Sequence, residues 1–333
     1  SLTASISWEL DLWGNLRWAR DHSTAGFLAS VENCRAVKMG LVAQVAQSYF
    51  ELMALDNELA IVRRTLEARR EGVRLAEIRF KGGLTSEIVF QQAKVELAKT
   101  ATMVPDLERR ISLKESEIAL LTGDFPYAVN RNVLPEEIQL PDALPLGLPS
   151  TLLERRPDIR KAERELMAAH AEVGLAYTNM FPRLALTATL GAESETLRDL
   201  LKSPYSYLAG NLLSPLFAMG KNRAALKAKR AAYEGAVAEY EKTVLTAFKE
   251  THNAIINFNK IKDIYESRRQ LAEASRTAVE LAQLQYINGV IGYLDLLDAQ
   301  RNYFDAQVSL SNAVCDKQLM IINLYKALGG GWK

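Results

Sequence analysis

Leu2, Ala4, Ile6, Trp8, Leu10 and Leu12 are apolar, and Thr3, Ser5, Ser7, Glu9 and Asp11 between them are polar. A period of two puts one set on each face of an extended strand. Leu184, Leu186, Ala188 and Leu190, interleaved with Arg183, Ala185, Thr187 and Thr189, repeat the pattern. A third, less regular case is Tyr205–Phe217. It lies in the longest uncharged stretch, Ser203–Gly220, where Pro204 and Pro215 suit a strand better than a spanning helix. The segments Asn15–Phe80, Thr85–Leu121, Ser150–Met180, Lys221–Tyr286 and Ile291–Leu328 read as helices, with Pro157 near the first turn of the third. Lys81-Gly82-Gly83 and Asn288-Gly289 break each very long helix from the helix that returns, and glycine closes both returning helices. A helix of roughly 65 residues would be about 100 Å long, so parallel neighbours must support it.

Shifting the sequence by 206 positions aligns two halves without a gap. Leu10 meets Leu216, Gly14 meets Gly220, Arg17 meets Arg223, and Leu75, Ala76, Phe80 and Gly83 meet Leu281, Ala282, Tyr286 and Gly289. The constant offset predicts a duplicated unit of about 115 residues: strand, long helix, returning helix. The chain then divides into a first repeat (1–124), a proline-rich linker (125–150), a helix and strand (151–190), and a second repeat (205–330). The second unit is preceded by a helix and a strand. Projecting that arrangement back predicts a matching helix and a fourth strand upstream of Ser1, and hence an N-terminus truncated here.

Alternation over about eleven residues matches one crossing of a transmembrane barrel. Trp8, Trp13, Trp18, Tyr205 and Tyr207 fall at or near strand ends, where an aromatic girdle belongs. A half-buried soluble sheet explains the alternation alone equally well. Yet three strands separated by helices can neither close a barrel nor satisfy their own edges in lipid. Copies of the chain would have to complete them.

Steps of three and four from Asp295 reach Asp298, Asn302, Asp305, Ser309, Asn312 and Asp316, a polar stripe along the last helix. Leu294, Leu297, Phe304 and Val308 flank it on one side, and Leu296, Ala299, Tyr303, Ala306 and Leu310 on the other. A helix so patterned packs between two neighbours and shows its third face to water, as a wall element of a tube does. A solvated outer face is the plainer alternative for a lone helix. The corresponding line in the first repeat, Val89, Gln92, Glu96, Lys99, Met103, Asp106 and Arg110, is less acidic and less regular. In a ring of subunits Asp295 and Asp298 would repeat as acidic rings that favour cations, and could gate with pH.

Composition narrows the function. Basic and acidic residues number 41 and 40, which gives no electrostatic case for nucleic acid. Cys34 and Cys315 build no disulfide framework, and His22, His170 and His252 have no metal-ligand spacing. With no phosphate-binding glycine loop and no nucleophile–base arrangement, neither an enzyme nor a cofactor is expected. Asp295 and Asp298 as general acid and base would lack a cleft.

Four stretches give the chain its family likeness. They are Trp8-Glu9-Leu10-Asp11-Leu12-Trp13-Gly14, Leu153-Glu154-Arg155-Arg156-Pro157-Asp158-Ile159-Arg160, Phe181-Pro182-Arg183-Leu184 and Leu294-Asp295-Leu296-Leu297-Asp298-Ala299-Gln300-Arg301. Across essentially its whole length the chain resembles the outer-membrane efflux protein (TolC-like) family, in the lipoprotein branch that partners resistance–nodulation–division pumps. The resemblance implies a mainly α fold with β: a homotrimer with a twelve-stranded transmembrane β-barrel and a twelve-helix periplasmic α-barrel. An equatorial region would include residues near Pro126–Ser150 and the C-terminus. It implies a lipid-anchored duct in the Gram-negative outer membrane that conducts small molecules passively. A periplasmic adaptor (membrane fusion) protein and an inner-membrane pump would dock at its helical end. It also implies a gate at Asp295 and Asp298, with Tyr286 as gating tyrosine, Arg301 as a neighbouring basic position, and Asn302, Asp305, Ser309, Asn312 and Asp316 lining the lumen. Two positions depart from secretion-type members: Ile291 replaces an arginine after the hairpin glycine, and Val89 replaces an aspartate. The inter-repeat lock is therefore expected to differ. The rival is a periplasmic coiled-coil scaffold or adaptor-like protein without a channel.

Overall fold

A computed structural model of the chain describes residues 2–131, 154–193, 204–214 and 220–330. The elements run β1 (Leu2–Leu10), α1 (Asn15–Lys81), α2 (Glu87–Thr122), α3 (Pro157–Thr178), β2 (Arg183–Ala192), β3 (Pro204–Leu213), α4 (Lys221–Ile287) and α5 (Tyr293–Ala327). The five helices and three strands expected within residues 2–330 are present. Residues 215–217 of the expected third strand, 132–150 of the linker and 150–153 of the expected third helix lie outside the described residues. Both α1 and α4 are 67 residues long, and each starts one residue after a glycine of positive φ, Gly14 or Gly220. Two compact units divide the chain: Ser1–Ala36 with Pro149–Ala247, and Val37–Leu148 with Phe248–Lys333.

The first unit holds the sheet. β2 lies between β1 and β3, antiparallel to both, from Leu2↔Ala192 to Leu10↔Leu184 and from Arg183↔Leu213 to Ala192↔Pro204. Facing residues of antiparallel strands share a face, so the period of two sorts β1 and β2 by face, while β3 places Ser206 among the apolar residues and Leu213 on the hydroxyl face. On one face the hydroxyls of Ser5 and Thr189 lie 3.1 Å apart, those of Ser7 and Thr187 3.2 Å, and those of Thr3 and Tyr205 3.3 Å. The other face carries Ile6, Trp8, Leu190, Leu208 and Leu212, all exposed, Ile6 and Leu208 at 76% each. The outer edges of β1 and β3 have no strand partner among the described residues.

Helix α3 begins at the Arg-Arg-Pro-Asp-Ile block and meets α1 just after it. Pro157 opens the helix, where its missing N–H costs nothing, and both Pro157 and Ile159 are fully buried. Arg156 pairs with Asp158 at 2.7 Å, and Arg160 meets the buried Glu32 of α1 at 2.9 Å. Trp13 stacks on Phe181 at 4.9 Å and donates Nε1–H to the Pro182 carbonyl at 2.9 Å. Trp18 does not sit at a strand end. It lies inside α1 against α3, edge-on to His170 at 5.6 Å. Only a residue without a side chain at position 174 leaves room for the indole, because a Cβ on Gly174 would fall 2.4 Å from Trp18 Cδ2. Packing on α3 overrides the local reading of Trp18 as a girdle residue.

In the second unit, the remainder of α1 turns into α2 and the remainder of α4 into α5. Leu52, Leu55, Leu59 and Val62 of α1 bury against Leu107, Ile111 and Ile118 of α2. Each well-buried aliphatic side chain contributes about 1.5–3 kcal/mol, and such side packing is what sustains helices of this length. The turns are alike. Gly83 N–H donates to Phe80 O and Leu84 N–H to Arg79 O, at 3.0 and 2.8 Å. Gly289 N–H donates to Tyr286 O and Val290 N–H to Gln285 O, at 3.1 and 2.9 Å. Gly83 and Gly289 have φ of +70° and +74°, the left-handed conformation in which glycine ends a helix at least cost. These donors and acceptors recur at the 206-residue offset.

Candidate functional site

The expected gate residues gather where α4 turns into α5. Asp295 sits in the first turn of α5, exposed, and its Oδ2 accepts the Gly292 N–H at 3.0 Å. Its carboxylate therefore satisfies one of the backbone donors left open at a helix start. Asp298 is one turn on, its side chain 73% exposed, with Oδ1 3.8 Å from Arg301 Nη1. Asn302, Asp305, Asn312 and Asp316 continue the exposed line, and Ser309 is half-buried in it. Asp316 meets Arg268 of α4 at 3.5 Å. The flanking rows behave as expected at Leu296, Leu297 and Ala306, which are buried, whereas Leu294 is 58% exposed.

Tyr286 is buried. Its ring packs against Tyr293 at 5.8 Å, and the Arg79 guanidinium lies over its face at 4.8 Å. Burial pushes the phenols of Tyr286 and Tyr293 above their ordinary range, and Arg79 partly offsets this at Tyr286. The Tyr286 hydroxyl has no hydrogen-bond partner. Ala76, Ala93 and Ala282 let the helices approach closely around this ring pair.

Three polar links tie the first hairpin to the second here. Arg79 of α1 donates to the carbonyls of Tyr286 and Ile287, at 3.3 and 3.4 Å, at the end of α4. A cation there meets the negative end of the helix dipole. Arg69 of α1 donates to Gln300 of α5. Arg301 of α5 donates to Glu96 of α2 at 2.5 Å. The hydrogen bond from Arg301, then its charge and that of Lys99, hold the Glu96 carboxyl below its ordinary range against burial.

The sequence pattern places Glu96 in a stripe resembling the exposed one of α5, but its side chain is turned inward. Arg69 and Arg79 stand out in no pattern of their own. One signal points to them. The 206-residue offset pairs Arg69 with Ser275, Arg79 with Gln285, Glu96 with Asn302 and Val95 with Arg301, so the linking charges stand where the two halves differ. Val89 and Ile291, the two departures noted above, both pack on the Tyr286–Tyr293 cluster. An apolar contact occupies the place where the resemblance would put a charged pair, and the charged links lie beside it. Among the described residues no group of His, Cys, Asp or Glu could hold a metal ion, and no helix is long and apolar enough to cross a membrane.

Comparison with known proteins agrees with this architecture. The chain is 35% identical to the outer membrane protein OprJ of Pseudomonas aeruginosa over 335 residues, 98% of this chain and 68% of that one. It is 34% identical to the solvent efflux pump outer membrane protein SrpC of Pseudomonas putida, over 98% of this chain and 70% of that one. The solved outer-membrane channel OprN superposes with a TM-score of 0.90 at 31% identity, covering 98% of this chain and 74% of that one. The outer membrane efflux protein family model matches residues 1–124 and 148–330. With its exposed apolar sheet face and long paired helices, the chain is an outer-membrane protein of TolC-like fold and belongs to the outer membrane efflux protein family.

Proposed function

We propose that this protein is the exit duct of a tripartite efflux assembly, conducting small molecules, drugs among them, passively from the periplasm to the outside. Three copies pool their strands into one twelve-stranded β-barrel and their hairpins into a twelve-helix α-barrel. The two hairpins of each copy are a duplicated unit. One observation carries the reading: the sheet is apolar on one face, hydroxyl-lined on the other, and, among the described residues, unpaired at both outer edges. Unpaired backbone groups in hydrocarbon cost several kcal/mol each, so a membrane sheet of this kind has to close with others. Closed with its apolar face outward, it turns the hydroxyl ladder toward a water-filled lumen. A periplasmic coiled-coil scaffold would have no use for such a face.

The exposed line from Asp295 to Asp316 lines the helical lumen. Asp298 and Asp295 form acidic rings at its entrance, which favour cations. Tyr286 with Arg79, Glu96 with Arg301, and Arg69 with Gln300 hold the entrance closed. Opening separates the α4–α5 hairpin from α1–α2. A periplasmic adaptor and a resistance–nodulation–division pump meet the hairpin turns. Energy comes from the pump, and the duct itself performs no catalysis. A lipid anchor adds to the hold of the barrel on the outer membrane.

The assembly state tests this reading. Light scattering of the natural protein in detergent, corrected for bound detergent, is expected to give three chains per particle, with aggregation when detergent is withdrawn. A monodisperse monomer that stays soluble without detergent would overturn it.

A further inference from the structure

Where α3 leads into β2 and β3 into α4, these elements wall a cavity of about 560 Å³, within the range of small-ligand sites. All of its lining residues belong to the first unit. Three are basic, Arg183, Lys221 and Lys229, and one is acidic, Glu172. Glu172 is already engaged, with Lys229 Nζ 2.7 Å from its Oε2. No ion pair engages Arg183 or Lys221 among the described residues. Arg183 Nη2 donates to Asn179 Oδ1 at 2.6 Å, and the Asn222 side chain donates to Asn179 O at 3.2 Å. That bond steadies the guanidinium and leaves its other N–H donors free. Arg183 and Lys221 are both exposed, so a ligand in the cavity can reach them. The repeat does not require these charges. At the 206-residue offset Lys221 and Lys229 align with Asn15 and Ser23, and both of those are neutral.

The rest of the wall is apolar. Leu175, Phe181 and Leu213 line the same space. Phe181 is held in place by Trp13, stacked at 4.9 Å, and by Tyr177, edge-on at 5.3 Å. An occupant therefore needs an apolar body and an anionic oxygen. Position decides where that occupant comes from. Arg183 and Leu213 face each other on the hydroxyl side of the sheet, whereas their neighbours Leu184 and Leu212 lie on the apolar side. We propose that this cavity binds an organic oxyanion with an apolar body, a solute passing through the duct and not a membrane lipid. The proposal rests on the duct reading in one respect, that the hydroxyl face opens onto the lumen. Arg183 and Lys221 donate to the oxyanion, and the apolar body lies against Phe181 and Leu213. Arginine suits the role because its planar guanidinium is weakly hydrated and pairs with oxyanions in fixed geometry.

Calorimetric titration of the natural protein in phosphatidylcholine nanodiscs tests the proposal, with naphthoate as probe, naphthamide as its uncharged counterpart and empty discs as the blank. Naphthoate is expected to bind at least about tenfold more tightly than naphthamide, the discrimination that one charge-assisted hydrogen bond supplies. Arg183→Gln with Lys221→Gln is expected to erase that preference. Ala225→Trp, which fills the cavity, is expected to abolish binding of both probes with the helical circular dichroism unchanged. Glu172→Gln releases Lys229 from its partner and is expected to tighten naphthoate binding about two- to fivefold, the worth of one partly exposed ion pair. A gain of affinity cannot come from misfolding, so this variant keeps the test decisive if the others fail to fold. Equal binding of the two probes, no binding of naphthoate, or unchanged affinity in Ala225→Trp would each overturn the proposal. So would loss of naphthoate binding when phosphatidylglycerol is added to the discs, since a lipid would then hold the site. Three chains per particle with no naphthoate bound would reject this site and leave the duct reading standing.

Discussion

Arg301 on α5 meets Glu96 on α2 at 2.5 Å, and the two side chains are 46% and 9% exposed. The carboxylate is the buried partner, so removing the arginine leaves a charge in a poor place to be alone. Arg301→Met is expected to cost about 1–2 kcal/mol, below the 3–5 of a fully buried pair because the guanidinium is half in water. Glu96→Gln combined with Arg301→Met should recover part of that loss, read as coupling in a double-mutant cycle of urea unfolding. The pH dependence has a definite sign. The folded state holds Glu96 below its ordinary value of 4.5, so its contribution is complete above that pH and is lost as pH falls through the lowered value. Wild type should lose more stability on acidification than Glu96→Gln, and equal losses would count against the pair.

Asp295 and Asp298 are separable. The first caps a helix through Gly292 N–H, whereas the second is mostly in solvent. Asp295→Ala should lower stability by about 1 kcal/mol, the usual cost of a lost N-terminal cap, and Asp298→Ala should leave the melting temperature unchanged. Both should weaken cation preference in bilayer recordings of the natural protein. Unchanged reversal potentials in both variants would remove them from the gate.

The contact between Trp18 and Gly174 is a packing prediction. A methyl group at 174 would fall 2.4 Å from the indole, while at Gly235 nothing lies within 4 Å. Gly174→Ala is expected to destabilise by about 1–3 kcal/mol through overpacking, and Gly235→Ala to be neutral or slightly stabilising through helix propensity. Thermal melts of the two variants compare them directly. Adding Trp18→Leu to Gly174→Ala should restore part of the loss.

Helix ends, glycine turns and strand alternation were legible because each is set by local chemistry. Gly83 and Gly289 break the helices at the same offset with the same hydrogen bonds, and Pro157 opens α3 from its first position. The polar line from Asp295 to Asp316 was legible for the same reason, since side chains three and four apart share a helix face. The burial of Glu96 was not, because it depends on Arg301, 205 residues away, and no periodicity encodes such a partner. Arg69 reads like any surface arginine until the neighbouring helices enclose it. Trp18 misled for the opposite reason: its nearness to a strand end is local, but its packing partner Gly174 is not.

The thiols follow from burial. Desolvation, with Asp316 and Glu51 nearby, pushes Cys315 up to about 11, whereas Cys34 is exposed. A maleimide at pH 7.5 should label one cysteine per native chain and two after denaturation, counted by intact mass. Labelling of Cys315 in the native protein would contradict the packing of α5 against α1.

The most direct measurement is conductance of the natural protein in planar lipid bilayers. A closed cylinder of shared strands and hairpins predicts discrete current steps, of one repeating size, that favour cations and grow more frequent when Arg301→Met and Arg79→Met loosen the links between hairpins. A protein that inserts into the bilayer yet passes no current, in wild type and in both variants, would contradict a hollow duct.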